Sequence, residues 1–400
     1  MTSQENLKRV LTTLFVAWLG HFILDLSIGF WAVYKTMAHL DLAIAGLIAG
    51  ICPFIGEGMQ LVFGSLGDKG YRKVLLIFGA GAGAANALLP YTNHYFLLFL
   101  IYLLTCFGSG AFHPTGVAVV SSLTKKQKGL FVTIFASGGS LGLALSQIIF
   151  SSWYTRFNGQ TIFLAFPALA LVVFLLFRNL PGVLPTPTPT GRRYGFSALK
   201  KAFRCRELGI LYISQVCNQT IFWGTVFLLP DTLASKGYNS WLVFGGGHLF
   251  FILGGAIMMV VGGYLSDKYS SKIILLASNT LALVFFYLFL LMPMIMTNMM
   301  LLSILFVLGA CLGVANPVAV AYGNKLLPSR PGLVSGILMG LVWCVSEGLG
   351  PTGAGLLTKC FVENAPTKAL SFFGFLFIIC SLVTTLLPDE VSQEFDMEAA

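Results

Sequence analysis

Gly56–Lys73, GEGMQLVFGSLGDKGYRK, and Gly255–Lys272, GAIMMVVGGYLSDKYSSK, are two copies of one stretch, and their repetition decides the fold. At an offset of 199 residues the identities of the pair include Gly56/Gly255, Met59/Met258, Gly64/Gly263, Leu66/Leu265, Asp68/Asp267, Lys69/Lys268 and Lys73/Lys272. Glycine and leucine matches carry little in apolar sequence. The charged frame Asp-Lys-x-x-x-Lys, recurring at the end of an apolar run, carries more. A long apolar chain whose second half repeats its first reads as two parallel sets of membrane helices.

The surrounding composition agrees. Hydrophobic residues make up 56% of the 400-residue chain and charged residues 10%, against about 25% charged in a soluble protein. Thirty-nine charged side chains cannot cover a soluble fold of this length. A membrane-spanning helix needs about 20 apolar residues, and twelve such spans fit: 10–34, 43–66, 74–91, 95–120, 129–155, 160–178, 207–230, 241–265, 273–296, 299–322, 332–358 and 367–387. They are numbered helix 1 to helix 12. Unbroken apolar runs such as Leu281–Met296 exclude the two-residue alternation of an outer-membrane barrel. The expected fold is all-α, twelve transmembrane helices in two pseudo-symmetric six-helix halves.

The net charge of +9 follows topology rather than nucleic-acid binding. With a cytoplasmic N-terminus, nineteen basic residues fall in cytoplasmic segments, and only Lys35, Arg156, Lys236, Lys359 and Lys368 fall outside. That asymmetry places both termini in the cytoplasm of a multi-pass inner-membrane protein. Lys8 and Arg9 precede an apolar stretch without a small-residue cleavage site, which reads as a signal-anchor first helix.

The organisation expected is residues 1–180 as the first half, 181–206 as a cytoplasmic linker, 207–388 as the second half, and 389–400 as an acidic, solvated tail. Pro181–Gly191 cannot continue a helix. Phe196–Arg206 sets Lys200, Lys201, Arg204 and Arg206 beside Phe196, Leu199 and Phe203, an amphipathic helix suited to the inner membrane surface. The eight cysteines are scattered without Cys-x-x-Cys spacing, so neither disulfide nor metal is assigned, and no cofactor is expected.

Gly64-Ser-Leu-Gly-Asp68-Lys69-Gly-Tyr-Arg72-Lys73 resembles the loop 2–3 signature of the major facilitator superfamily, with Tyr71 where a glycine is usual. Gly263–Lys272 is similar to its degenerate second copy. Three short segments resemble the fosmidomycin-resistance branch: Gly20–Asp25 (GHFILD) in helix 1, Phe112-His113-Pro114 in helix 4, and Gly138–Gly142 (GGSLG) in helix 5. The resemblance implies a secondary transporter driven by protons, without fixing its substrate. Ser346–Gly355 resembles the antiporter motif of drug exporters, displaced from helix 5 to helix 11.

A charge at bilayer depth costs at least ~2.5–3.5 kcal/mol, so each one needs a reason. His21 and Asp25 lie four apart on one face of helix 1 and can share a proton. Glu57, with Gln60 one turn on in helix 2, and Glu347 in helix 11 are single carboxylates in apolar spans, placed protonated or in an aqueous cavity. His113 precedes Pro114, where helix 4 loses a backbone bond. These six form the expected proton-coupling and substrate cavity. Asp68, Lys69, Arg72, Lys73, Asp267 and Lys268 form the expected cytoplasmic gate. Asp68 is expected to dock on the start of helix 11 and Asp267 on that of helix 5, with Arg72 and Lys73 held by the membrane surface or by acids.

No phosphate-binding loop, His-Glu-x-x-His or metal-spaced Cys/His set occurs, which argues against an enzyme and against an ATP-driven pump. The expectation is a monomeric secondary transporter exporting a drug-like or amphiphilic small molecule in exchange for protons. The alternative is an importer of a nutrient, metabolite or siderophore-like compound.

Overall fold

The computed structural model describes residues 3–124, 126–183, 196–292 and 297–389. Among these residues there is no β-strand, and the chain runs as twelve helical rods. Nine stretches are long and apolar enough to cross a membrane on their own, and one of them, Leu42–Tyr91, is two rods joined at a turn. The shorter Thr161–Phe177 and the more polar Arg206–Ser235 complete the twelve. Helices 1 to 6 span 3–37, 42–71, 72–91, 95–122, 128–156 and 161–177. Helices 7 to 12 span 206–235, 242–268, 271–291, 298–326, 331–358 and 365–385. The twelve-helix expectation therefore holds, with ends within a few residues for most helices.

Local chemistry sets several of these ends. Asp41 caps helix 2 through Oδ1, which accepts from the amides of Ala43 and Ile44 at 2.9 and 3.2 Å. Thr297 caps helix 10, its Oγ1 accepting from Met300 N at 3.3 Å. Helix 3 tightens into a 3₁₀ turn over Ala84–Tyr91, which contains Pro90. Gly70 joins helix 2 to helix 3 at φ 109°, in the region open to glycine and strained for other residues. The repeat has Tyr269 in the matching turn, at φ −124° and ψ 158°, so helix 8 ends in extended backbone instead.

The chain forms two compact units, residues 1–44 with 51–189 and residues 45–50 with 190–400. In the first, Leu24, Phe112, Phe135, Ala168 and Leu175 build a core between helices 1, 4, 5 and 6. Gly138 and Gly142 of helix 5 lie against the Trp18 and Phe22 carbonyls, so helices 1 and 5 meet backbone to backbone. In the second, Leu208, Val318, Tyr322, Val334 and Leu338 form the corresponding core. The glycine stripes of helix 8 serve close packing there: Gly254 and Gly255 abut helix 10 at Phe306 and Gly309.

Two boundary expectations change. The linker helix ends at Ala202 and does not reach Arg206, which opens helix 7 after Cys205 in extended conformation. Ala202 is fully buried and Leu199 packs on the second core, while Phe203 meets Tyr212 edge-on at 5.2 Å. Part of the apolar face of this helix therefore rests on the second unit. The proline-threonine stretch at 184–195 and the tail at 390–400 lie outside the described residues. Asp389, expected in a solvated end, pairs with Lys272 at 3.2 Å.

Candidate functional site

The structure places His21, Asp25, His113 and Glu57 in one hydrogen-bonded chain within the first unit. Helical spacing puts Asp25 Oδ2 3.3 Å from His21 Nε2. Helix 4 brings His113 Nε2 to 3.1 Å from the other oxygen, Oδ1. On its far side His113 Nδ1 meets Ser109 Oγ at 3.0 Å, and that hydroxyl lies 2.6 Å from Glu57 Oε1 on helix 2. At the opposite end His21 Nδ1 lies 2.8 Å from the Phe135 carbonyl of helix 5, with the two rings stacked at 4.3 Å. Four helices thus contribute to a line of five side chains and one carbonyl.

Donor and acceptor counting assigns protons along this line. The Phe135 carbonyl only accepts, so His21 Nδ1 carries a hydrogen. A neutral His21 then turns its Nε2 lone pair toward Asp25. The contact holds one proton, shared either as imidazolium and carboxylate or as imidazole and carboxylic acid. Ser109 has a single hydroxyl proton. With Glu57 ionised, that proton goes to Glu57 and His113 Nδ1–H donates to Oγ. With Glu57 protonated, the acid donates to Oγ and the hydroxyl turns to donate to His113 Nδ1. The two arrangements differ by one proton passed from Glu57 to His113, without displacement of any heavy atom. His113 Nε2 then offers the proton to Asp25.

Solvent reaches part of this line, since the side chains of His21, Asp25 and His113 are 10%, 19% and 24% exposed. Helix 5 leaves room beside it. A Cβ at Gly139 would collide with His21 Nε2 and Asp25 Oδ2, so only glycine fits there. Three ligand-bearing side chains, His21, Asp25 and His113, have donor atoms within 4.8 Å of one another.

The remaining predicted residues lie elsewhere. Gln60 is half-buried on helix 2 and is not a member of the bonded line. Glu347 is half-buried in helix 11 of the second unit. Asp68 and Lys69 are exposed, and Asp68 Oδ1 is 4.0 Å from Arg72 Nη2. Arg72 is buried and donates through Nη1 to the Gly182 carbonyl at 3.0 Å. Lys73 donates to the Leu176 carbonyl and Asn179 Oδ1, both at 3.1 Å. Arg72 thus faces the acid Asp68 and also holds the Gly182 carbonyl beyond helix 6, whereas Lys73 satisfies the Leu176 carbonyl in the last turn of helix 6, where the helix itself leaves acceptors unpaired. In the second copy Asp267 and Lys268 are exposed, with Lys268 Nζ 4.5 Å from the centre of the Tyr264 ring.

Ser109, the Phe135 carbonyl and Gly139 were not named from the sequence as members of the line. Ser109 carries a usable signal, lying one turn before His113 on the same face of helix 4. A backbone carbonyl carries none.

The family model of the Major Facilitator Superfamily matches residues 10–351. No curated protein matches the chain by sequence. Among solved structures, a bacterial homolog of the human lysosomal transporter Spinster, inward-facing and unoccupied, superposes with a TM-score of 0.79. It is 12% identical, over 96% of this chain and 97% of that one. The nucleoside transporter NupG, as a point mutant, superposes with a TM-score of 0.79 at 14% identity, over 94% of this chain and 99% of that one.

Proposed function

Because the chain belongs to the Major Facilitator Superfamily, a family of secondary transporters that move small molecules by alternating access, we propose that the line Glu57–Ser109–His113–Asp25–His21 couples that movement to protons. The observation that carries this reading is the unbroken run of hydrogen bonds, each between 2.6 and 3.3 Å, linking three ionisable types across three helices. A proton taken up at Glu57 is passed through the Ser109 hydroxyl to His113 and is held against Asp25. Protonation neutralises Asp25 or turns a histidine into a cation, and either changes the cost of exposing the site to one side or the other. The gate residues Asp68 and Asp267 then bias the cytoplasmic closure, and both termini face the cytoplasm of the inner membrane.

The substrate is a drug-like or amphiphilic compound moved outward. No Lys or Arg lies mid-span to bind a phosphate or carboxylate, which counts against an anionic cargo. A second reading, import of a nutrient or metabolite, is supported by the fully buried carboxamide of Gln147 in helix 5. It lacks hydrogen-bond partners among the described residues and offers a donor and an acceptor to a neutral polar compound.

The test uses purified protein in proteoliposomes with a panel of amphiphilic dyes, antimicrobials and neutral metabolites, under an imposed pH gradient and then without one. Gradient-dependent accumulation of one compound, with matched alkalinisation or acidification of the lumen, supports proton coupling, and its direction separates export from import. Accumulation that ignores the gradient contradicts it.

A further inference from the structure

The same contacts raise a question that the proton line alone does not exhaust, namely what positive species sits between two imidazole nitrogens and a carboxylate. His21 Nε2 and His113 Nε2 approach opposite oxygens of Asp25 at 3.3 and 3.1 Å. If both rings are neutral with hydrogens on Nδ1, every lone pair at this point faces another lone pair. Only a proton or a metal cation relieves that arrangement. We infer that His21 Nε2, His113 Nε2 and the Asp25 carboxylate form a binding site for a divalent first-row transition-metal ion, with Zn²⁺ as its best-suited probe.

Four observations bear on it. The first is distance. At metal–ligand lengths of about 2.0–2.1 Å a tetrahedral site has ligand–ligand edges of roughly 3.3 Å; the two histidine–aspartate separations have about that length but end on opposite oxygens of Asp25, so the carboxylate would hold the ion with both oxygens or turn to present one. The remaining edge is bounded at 4.8 Å and closes by side-chain rotation.

The second is the outer shell. Metal-ligating histidines are commonly held through their other ring nitrogen by a carbonyl or carboxylate. Here His21 Nδ1 is held by the Phe135 carbonyl, and His113 Nδ1 by Ser109, itself bonded to Glu57. The Phe135 carbonyl keeps hydrogen on His21 Nδ1, Ser109 accepts one from His113 Nδ1 when Glu57 is ionised, and each ring then aims Nε2 at the Asp25 carboxylate.

The third is room and access. Gly139 lies directly against His21 Nε2 and Asp25 Oδ2, so its lack of a side chain lets both ligands occupy the place a Cβ would take. Part of each ligand remains exposed to solvent, up to 24% for His113. A fourth coordination position is thus available to water.

The fourth is charge and ligand type. Two imidazoles and a carboxylate suit zinc, copper, nickel or iron better than magnesium or calcium. A divalent ion on two neutral histidines and one carboxylate leaves one positive charge, which ionised Glu57 behind Ser109 balances. Sequence spacing does not reveal this set, because His21 and His113 lie in helices 1 and 4.

Metal and proton compete for the same lone pairs, so the ion locks the line and opposes proton transfer. The inference shares its residues with the proposed coupling role but does not depend on proton-driven transport being real. It is tested on the purified full-length chain carrying Cys360→Ser, which removes the exposed thiol, by titrating Zn²⁺ calorimetrically at several pH values. The expected result is one Zn²⁺ per chain, weaker at lower pH, with protons released on binding at and below the histidine range, where the metal displaces them from the ligands. His21→Gln, Asp25→Asn and His113→Gln should each weaken binding at least tenfold, and Ser109→Ala about ten- to a hundredfold through the lost outer-shell bond. His94→Gln, an exposed histidine elsewhere, should change nothing.

X-ray absorption at the zinc edge of the unsubstituted ligands gives a reading that no folding defect can mimic. A shell of nitrogen and oxygen at about 2.0 Å with two imidazole signatures supports the site. A sulfur-rich shell, substoichiometric zinc, or affinity unchanged in all three ligand variants overturns it. Transport with a chelator present separates the two readings. Proton-driven transport without zinc binding sinks only the metal site, and zinc binding without proton-driven transport sinks only the coupling role.

Discussion

At the offset of 199 residues that overlays helix 2 on helix 8, Glu57 falls on Ala256, and the same offset sets His21 against Thr220 and Asp25 against Gly224. The first unit therefore holds an ionisable line where the second holds a hydroxyl, a glycine and an alanine. The buried polar residues of helix 7 are neutral amides and hydroxyls, with Gln219 Nε2 donating to Asn218 Oδ1 at 3.0 Å. The loop frame behaves differently. Its last basic residue does the same job in both units: Lys73 holds the end of helix 6 and Lys272 holds Asp389 just past helix 12. A feature shared by both units is architectural, whereas the bonded line of titratable groups belongs to the first.

The contrast is sharpest at small residues. Gly139→Val should reduce proton-driven accumulation by more than tenfold, because its side chain occupies the place of the His21–Asp25 contact. Gly263→Ala, whose added Cβ meets nothing within 4 Å, should leave accumulation unchanged. Rates measured in parallel with the same compound decide this, and equal losses in both variants would erase the distinction between the units.

Ser109→Ala removes the hydroxyl that passes a proton between Glu57 and His113. Gradient-driven transport should fall by about a hundredfold, the low end for a lost proton-transfer group, while exchange without a gradient persists. Ser214→Ala breaks a hydroxyl contact to Thr384 in the second unit. It should leave the pH dependence of transport unaltered, and a matching shift in that profile would show that the second unit also carries protons.

The frame can be broken at three depths, each read as a change in unfolding free energy or melting temperature in detergent. Arg72→Ala removes a buried charged donor to Gly182 and should cost about 1.5–3 kcal/mol. Gly70→Ala forces a side chain into positive φ and should cost about 1–2 kcal/mol. Lys272→Ala loses a pair whose aspartate side chain is 77% exposed, worth at most about 1 kcal/mol. A reversed order would mean that the first copy of the frame is not the one that holds its unit together.

Apolar periodicity and positive-inside charge made the twelve spans legible, and four-residue spacing made the His21–Asp25 pair legible. The site beyond that pair was less so. His113 meets Asp25 across 88 residues of chain, a contact that only helix packing creates. The partners of His21 and Arg72 are the carbonyls of Phe135 and Gly182, and every residue has a carbonyl, so no side-chain pattern announces them. Gly139 is visible as part of a glycine stripe, but the atoms it admits belong to another helix. The end of the linker helix was misplaced because Cys205, which precedes helix 7, makes no side-chain cap bond and carries no capping signature.

The central claim is that Asp25 anchors the coupling proton. Asp25→Asn keeps the size of the side chain and removes its charge, so it separates coupling from binding. In proteoliposomes, with a chelator present and a compound that the wild-type protein concentrates, the variant should show no uphill accumulation at any pH. Its counterflow exchange without a gradient should remain within about threefold of wild type. Undiminished uphill accumulation across several pH values would remove Asp25, and with it the proton line, from the mechanism.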